Sequence, residues 1–254
     1  MSDSVAGVVL AAGAGTRLAP LTRERPKALC PVAGVALVDG ALERVGRVAA
    51  RRAVNLHHGA EALDAHLPAD VHRSWERPDA LGTAGALAAL AEWIAGAPVL
   101  VANADAWLPP EVDVAGLVAG WDGERARLLC VRDPVRGDFG DLRYCGLALM
   151  PPSLLAPLRP VPSGLYEACW RHEEAAGRLD LVVHPGPFVD CGTPADYLAA
   201  NLLASGGASV VDPGARVAPD AALVRSVVWA GATVAAGERL VDAIRTPTLT
   251  VLVR

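Results

Sequence analysis

A glycine turn followed by two cations is the chain's first chemically legible feature. It reads Leu10-Ala11-Ala12-Gly13-Ala14-Gly15-Thr16-Arg17 and continues past Pro20 to Arg25-Pro26-Lys27-Ala28-Leu29. Glycines leave backbone N–H groups clear of Cβ atoms, so several can converge on one anion. Arg17 adds a planar fork suited to phosphate oxygens, and Lys27 adds a compact point charge. Pro20 and Pro26 keep the stretch out of regular helix. Two familiar phosphate loops fail on spelling. A dinucleotide fingerprint needs a third glycine where Leu18 stands, and a Walker A loop needs Gly-Lys-Ser/Thr where Pro26-Lys27-Ala28 stands.

Composition sharpens the weight of Lys27. Among 23 Lys and Arg residues it is the single lysine, and the chain holds three asparagines and no glutamine. A G+C-rich coding bias accounts for such counts, and it makes each retained lysine or asparagine more informative. The formal charge of -5 over 254 residues argues against a nucleic-acid or anionic-membrane partner, both of which favour a basic face. No apolar run reaches the roughly 18 residues of a spanning helix. The start Met1-Ser2-Asp3-Ser4 carries an acid where a signal peptide carries positive charge. Cys30, Cys130, Cys145, Cys169 and Cys191 are scattered without a CxxC, as reduced thiols of a cytoplasmic protein are. The histidines form no HxH or HExxH pair, which disfavours zinc.

The elements that must position these residues alternate. Val5 to Ala12 is a buried strand feeding the glycine turn, and Ala53 to Leu56 and Pro98 to Ala102 are further strands. Leu128 to Arg132, Leu147 to Met150 and Asp180 to His184 add three more. Helical spacing runs over Ala36 to Ala50, Glu61 to Leu67, Gly85 to Ala95 and Leu165 to Ala176. The expectation is an α/β, Rossmann-like domain with a mixed, mostly parallel sheet over residues 1–205. From residue 206 to 254 the pattern changes. Val211, Val217 and Leu223 are spaced by six, as are Val228, Val234 and Leu240, which predicts a short left-handed β-helix of hexapeptide repeats. No histidine follows His184, so the tail reads as an interaction or homo-oligomer surface rather than an acyltransferase.

The run from Leu10 to Gly34 closely resembles the signature of the sugar-1-phosphate nucleotidyltransferases, the NDP-sugar pyrophosphorylases. Leu81-Gly82-Thr83-Ala84-Gly85 resembles that family's base-contacting segment, Asn103-Ala104-Asp105 its metal motif, and Asp190-Cys191-Gly192-Thr193-Pro194 its late Asp-x-Gly-Thr-Pro. The resemblance implies a nucleotide-diphospho-sugar transferase fold and condensation of an NTP with a sugar 1-phosphate. It implies Mg²⁺ held by Asp105 and Asp190, and catalytic roles for Arg17 and Lys27. Leu10, Ala11, Ala12, Gly13, Gly15, Thr16, Gly82, Thr83 and Asn103 would bind the nucleotide, and Gly146 and Glu167 the sugar. Such a reaction needs charge neutralisation and in-line positioning and no covalent nucleophile.

Two departures stand out. Ala104 replaces the metal motif's usual glycine, and the Arg132–Arg136 region lacks the second lysine of many members, so either Arg132, Arg136 or Arg143 substitutes or the acceptor phosphate sits differently. Asp133-Pro134 with Gly137-Asp138-Phe139 resembles the N-acetylmuramate-1-phosphate uridylyltransferases. The Leu81–Gly85 segment and the tail look more like mannose-1-phosphate guanylyltransferases. The resemblance therefore puts GTP with a mannose-like sugar 1-phosphate first. UTP or dTTP, a non-sugar phosphate acceptor, and a silent nucleotide-sugar-binding subunit are the alternatives.

Overall fold

The computed structural model describes residues 5–253, so the reading of the Met1-Ser2-Asp3-Ser4 start lies outside the described residues. The first strand, β1 (Ala6–Leu10), is buried and is followed by three 3-10 turns over Thr16–Leu18, Leu21–Arg23 and Lys27–Leu29. A small hairpin, β2 (Pro31–Val32) and β3 (Val35–Ala36), leads into α1 (Leu37–Gly46). There follow β4 (Arg51–Leu56), α2 (Ala60–His66), β5 (His72–Trp75), α3 (Gly82–Ala89) and α4 (Ala91–Ile94). The next segment holds β6 (Val99–Asn103), β7 (Ala106–Trp107), α5 (Val114–Val118), β8 (Arg127–Arg132) and β9 (Leu142–Met150). Then come α6 (Pro152–Leu155), a π-turn at Tyr166–Trp170, α7 (Arg171–Ala175), β10 (Asp180–Val183), β11 (Val189–Asp190) and α8 (Pro194–Ala204).

Seven strands form the central sheet in the order β10-β8-β9-β6-β1-β4-β5. It is parallel except at β9, which runs antiparallel to β6 and β8. Val8 and Val9 are fully buried and join different cores, one on each face of the sheet. Each such side chain contributes about 1.5–3 kcal/mol over its exposed state. Gly7 lets α1 close on β1, since a Cβ there would lie 3.0 Å from that of Val45. The chain leaves β1 between β4 and β6, with Leu10 in register with Asn55 and Asn103. Open α/β sheets bind ligands in the crevice at such a point.

Several elements differ from expectation. The helix expected over Ala36 to Ala50 ends at Gly46, and the one over Gly85 to Ala95 starts at Gly82 and breaks at Leu90. The strand expected over Leu147 to Met150 extends back to Leu142 and reverses direction. The edge strand β5 was not expected, because His-Arg-Ser-Trp carries no aliphatic pattern. Nor was α8, although Thr193 caps it in the sequence, its hydroxyl accepting from the Asp196 N–H at 3.2 Å.

The C-terminal strands form small sheets, stacked in parallel at a fixed offset. Val211 pairs with Val228, Val217 with Val234 and Leu223 with Leu240, the same 17-residue step that separates Ser209 and Ser226. Val228, Val234 and Leu240 are buried, whereas Val211 is 42% exposed, so the second rung is the interior one. A third core joins the tail to the first segment: Leu18, Leu21 and Cys30 pack with Cys191, Tyr197, Val227, Trp229 and Ile244. No helix among the described residues is long and apolar enough to cross a membrane.

Candidate active site

A cleft of about 220 Å³ opens at the carboxyl ends of β1, β4 and β6, lined by Leu10, Ala12, Gly13, Asn55, Gly82, Thr83, Asn103 and Asp105 among others. The sheet thus brings together six of the nine residues expected at the nucleotide. The other three, Ala11, Gly15 and Thr16, lie on the loop beside it. Gly15 adopts φ +60, and a Cβ there would meet that of Lys27 at 2.8 Å, so the loop closes directly on the lysine stem. The Thr22 hydroxyl donates to the Gly15 carbonyl at 3.2 Å.

A buried polar chain that the motifs did not reveal fixes the cleft's two walls. The Asn55 side-chain carbonyl accepts from the Ala11 N–H at 2.6 Å, and its amide donates to Glu76 Oε1 at 2.8 Å. Glu76 Oε2 accepts from the Leu81 N–H at 2.7 Å. Asn55 and Glu76 are 3% and 2% exposed, so each group depends on its partner in the chain. His58 donates from Nδ1 to the Ala12 carbonyl at 2.9 Å, and the Leu10 carbonyl accepts from the Ala104 N–H at 3.0 Å. Behind α3 runs a strap, residues 161–165. A Cβ on Gly82 would lie 2.5 Å from the Ser163 carbonyl oxygen, and one on Gly85 2.3 Å from that of Val161. Thr83 completes the lock by accepting from the Leu165 N–H at 2.7 Å.

Below the cleft, charges of both signs meet. Asp105 follows β6, and Asp190 lies on β11, which pairs antiparallel with β7. The Asp105 carbonyl accepts from the Cys191 N–H at 3.0 Å, tying the two acidic loops together. Lys27 Nζ lies 2.6 Å from Asp105 Oδ2 and 3.8 Å from Asp190 Oδ1, with a side chain only 11% exposed. Arg17 reaches Asp190 at 3.6 Å and Arg143 reaches it at 3.9 Å. Three cations from three segments therefore surround one carboxylate. Arg17 is open to solvent, whereas Arg143 is largely covered, faces Phe188 and also approaches Asp133. Of the three arginines weighed against the missing lysine, Arg143 is the one placed here. Arg132 pairs with Asp141 instead, and Arg136 is exposed.

The Ala104 departure has a simple outcome. Ala104 is buried with φ outside the left-handed region, so its methyl causes no strain. Gly146 has φ +75 at an irregularity in β9, and a Cβ there would lie 2.5 Å from that of Ala106 and 3.1 Å from that of Asn103. Arg44, buried beneath, donates to the Ala106 carbonyl at 2.7 Å, and burial lowers its pKa to about 10. Glu167 is not brought to this group; it is exposed, and its carboxylate turns back toward Gly164.

The donor set fits a hard divalent cation. Asp105 and Asp190 offer oxygen ligands toward one point, and the lysine ammonium lying against both marks that point as attractive to positive charge. Mg²⁺ is commonly held by one or two carboxylates, with substrate phosphates completing its shell. The nearby thiols are buried: burial pushes Cys30 up to about 12 against the opposing charges of Arg25 and Lys27, and raises Cys191 as well, which favours the thiol over the thiolate.

The family of MobA-like NTP transferase domains matches residues 7–205. The chain is 32% identical over 229 residues to the N-acetylmuramate alpha-1-phosphate uridylyltransferase of Caulobacter vibrioides, covering 76% of this chain and 94% of that protein. Among solved structures, the mannose-1-phosphate geranyltransferase of Thermus thermophilus superposes with a TM-score of 0.71 at 20% identity, covering 98% of this chain and 95% of that one. The UDP-glucose pyrophosphorylase of Acinetobacter baumanii superposes with a TM-score of 0.64 at 15% identity, covering 78% and 92%. These two likenesses are of fold.

Proposed function

The chain belongs to the MobA-like NTP transferase family, and we propose that it condenses a nucleoside triphosphate with a sugar 1-phosphate, giving an NDP-sugar and pyrophosphate. The observation that carries this reading is the convergence of Arg17, Lys27 and Arg143 on Asp190 beside Asp105, below a cleft sized for a nucleoside. A triphosphate and a sugar phosphate together bring several negative charges, and this cluster supplies the compensation.

A sugar phosphate is largely dianionic at neutral pH. Its oxygen attacks the α-phosphorus, the new P–O bond forms, and the α–β bridging bond breaks with its electron pair leaving on pyrophosphate. No group of the protein needs to accept a proton. The Gly13–Arg17 loop wraps the triphosphate, Lys27 neutralises charge at the reacting phosphates, and Arg143 takes the acceptor phosphate in place of the absent second lysine. Asp105 and Asp190 would hold Mg²⁺, which when bound neutralises triphosphate charge. Gly146 lets β9 close on Ala106 and Asn103 at the edge of the site, which would set the wall beside the sugar, and Glu167 takes no part in this reading.

For the base, UTP replaces the GTP that the sequence resemblance placed first. The support is the 32% identity to a uridylyltransferase, together with the Asp133-Pro134 and Gly137-Asp138-Phe139 segments noted above. An acceptor like N-acetylmuramate 1-phosphate follows from the same identity. We read residues 1–205 as the catalytic unit and 206–254 as a short left-handed β-helix, for which the repeated 17-residue step is the support. The test is pyrophosphate release from four NTPs against a panel of sugar 1-phosphates with Mg²⁺ present. UTP with N-acetylmuramate 1-phosphate is expected to lead, and Asp105→Ala to abolish turnover in a folded protein. Release from no combination would refute the reaction class.

A further inference from the structure

The loop that carries Lys27 consists of short 3-10 turns, which have poor hydrogen-bond geometry and little stiffness of their own. One side of it leans on the catalytic domain, where Pro26 packs onto Gly59 so closely that a Cβ there would lie 2.3 Å from Pro26 Cγ. The other side is held by the tail. The Arg25 guanidinium sits 4.3 Å from the centroid of the Trp229 ring, and Trp229 is 1% exposed. Trp229 Nε1 donates to the Tyr197 hydroxyl at 2.9 Å, which in turn donates to the Pro31 carbonyl. Thr246, also buried, donates its hydroxyl to Glu24 Oε1 while accepting from the Leu249 N–H at 3.1 Å. Glu24 and Arg25 precede Lys27 and are gripped by the tail directly, whereas Pro31, on its other flank, is held by Tyr197 of α8, onto which Trp229 bonds.

From this we infer that the C-terminal tail is a positioning element of the catalytic centre, with Trp229 and Thr246 as positioning residues that act through Lys27. A surface serving only as an interface would have no need to spend a buried hydroxyl and a cation–π contact on this loop. The inference rests on the role given to Lys27 above.

The experiment compares Thr246→Val, which keeps shape and removes the hydroxyl, with Thr246→Ser, which keeps the hydroxyl, and with Arg25→Met, which keeps the stem over Trp229. Thr246→Val and Arg25→Met are expected to lower kcat about tenfold, the scale of a small misplacement of a reacting group. Equilibrium UTP binding stays within about twofold, because the cleft walls are untouched, and Thr246→Ser retains near-normal kcat. In a Lys27→Arg background the further loss from Thr246→Val shrinks, since its target is already displaced. Normal kcat in both Thr246→Val and Arg25→Met, with Lys27→Arg severely impaired, overturns the inference and leaves the role of Lys27 standing. Near-normal turnover by Lys27→Arg overturns that role instead, and the inference with it.

Discussion

Exchanging the two halves of the buried Asn55–Glu76 pair separates a specific polar relay from generic packing. In the native protein every group has a complement: the Ala11 N–H meets Asn55 Oδ1, the Asn55 amide meets Glu76 Oε1, and the Leu81 N–H meets Glu76 Oε2. Glu76→Gln leaves one acceptor for two donors, and a buried donor without a partner costs about 1–3 kcal/mol. Asn55→Asp keeps the Ala11 contact but sets a second carboxylate oxygen where 2.8 Å separates the side chains, at a cost of similar size, about 2 kcal/mol. In the double variant the carboxylate at position 55 accepts from Ala11 and from the new amide at position 76. The carbonyl of that amide accepts from Leu81, and the relay is whole with its net charge unchanged. The double variant should therefore unfold in urea within about 1 kcal/mol of the native protein, giving a coupling of roughly 3 kcal/mol between sites in contact. Leu81 anchors the Gly82–Thr83 wall of the cleft, so each single variant should also raise KM for the NTP, and the double variant should recover it. Single effects that sum to the double effect within about 0.5 kcal/mol would refute the relay.

Other outcomes follow from the same contacts. Gly85→Ala drives a methyl into the Val161 carbonyl and should cost about 1–3 kcal/mol in thermal or urea unfolding; an unchanged midpoint would show that the strap gives way freely. All five cysteines are buried, so a thiol reagent at neutral pH should label none in the folded protein and all five in denaturant, as read by mass spectrometry. Burial raises Cys30 and Cys130 from near 9.0 to about 12. Between those values the unfolded chain holds fewer protons than the folded one, so stability should fall as pH rises from 9 towards 12. Urea midpoints at about pH 8 and about pH 10 check this, and a fall of the same size in the Cys30→Ala, Cys130→Ala double variant would assign it to other groups. Asp190→Asn should weaken Mg²⁺ dependence and turnover together, and a full rate at ordinary Mg²⁺ would remove Asp190 from the site.

What could be read ahead of the structure was whatever is local. The strand-to-glycine turn, Lys27, Asp105 and Asp190 lie in short runs with fixed spelling, and the sheet brings those runs to one edge. Asn55 and Glu76 act through partners far along the chain, and no local pattern announces them; Arg143 stands among three arginines that could replace the absent lysine, and only its place beside Asp190 singles it out. Asn55 left a faint trace, as one of three asparagines in a chain without glutamine; another, Asn201, is buried and bonds Tyr197 and Ala33. Glu167, which the resemblance puts at the sugar, shows the converse: a helical carboxylate near a sugar-pocket segment looks suitable by position, while in the fold it is exposed with its carboxylate toward Gly164. The reversal of β9 was hidden because a buried strand's apolar run is the same whichever way it points.

The core shared by the first segment and the tail also sets an order of events during synthesis. Leu18, Leu21 and Cys30 emerge early, yet Val227, Trp229 and Ile244, which cover them, are made only after the whole sheet. Translation at roughly 5–20 residues per second leaves that interval on the order of ten seconds or more. During it the nucleotide cleft can assemble from β1, β4 and β6 while the lysine loop stays uncovered. The residues that cover Leu18, Leu21 and Cys30 are thus the last of that core to be made, and until then this apolar surface has no cover from the tail.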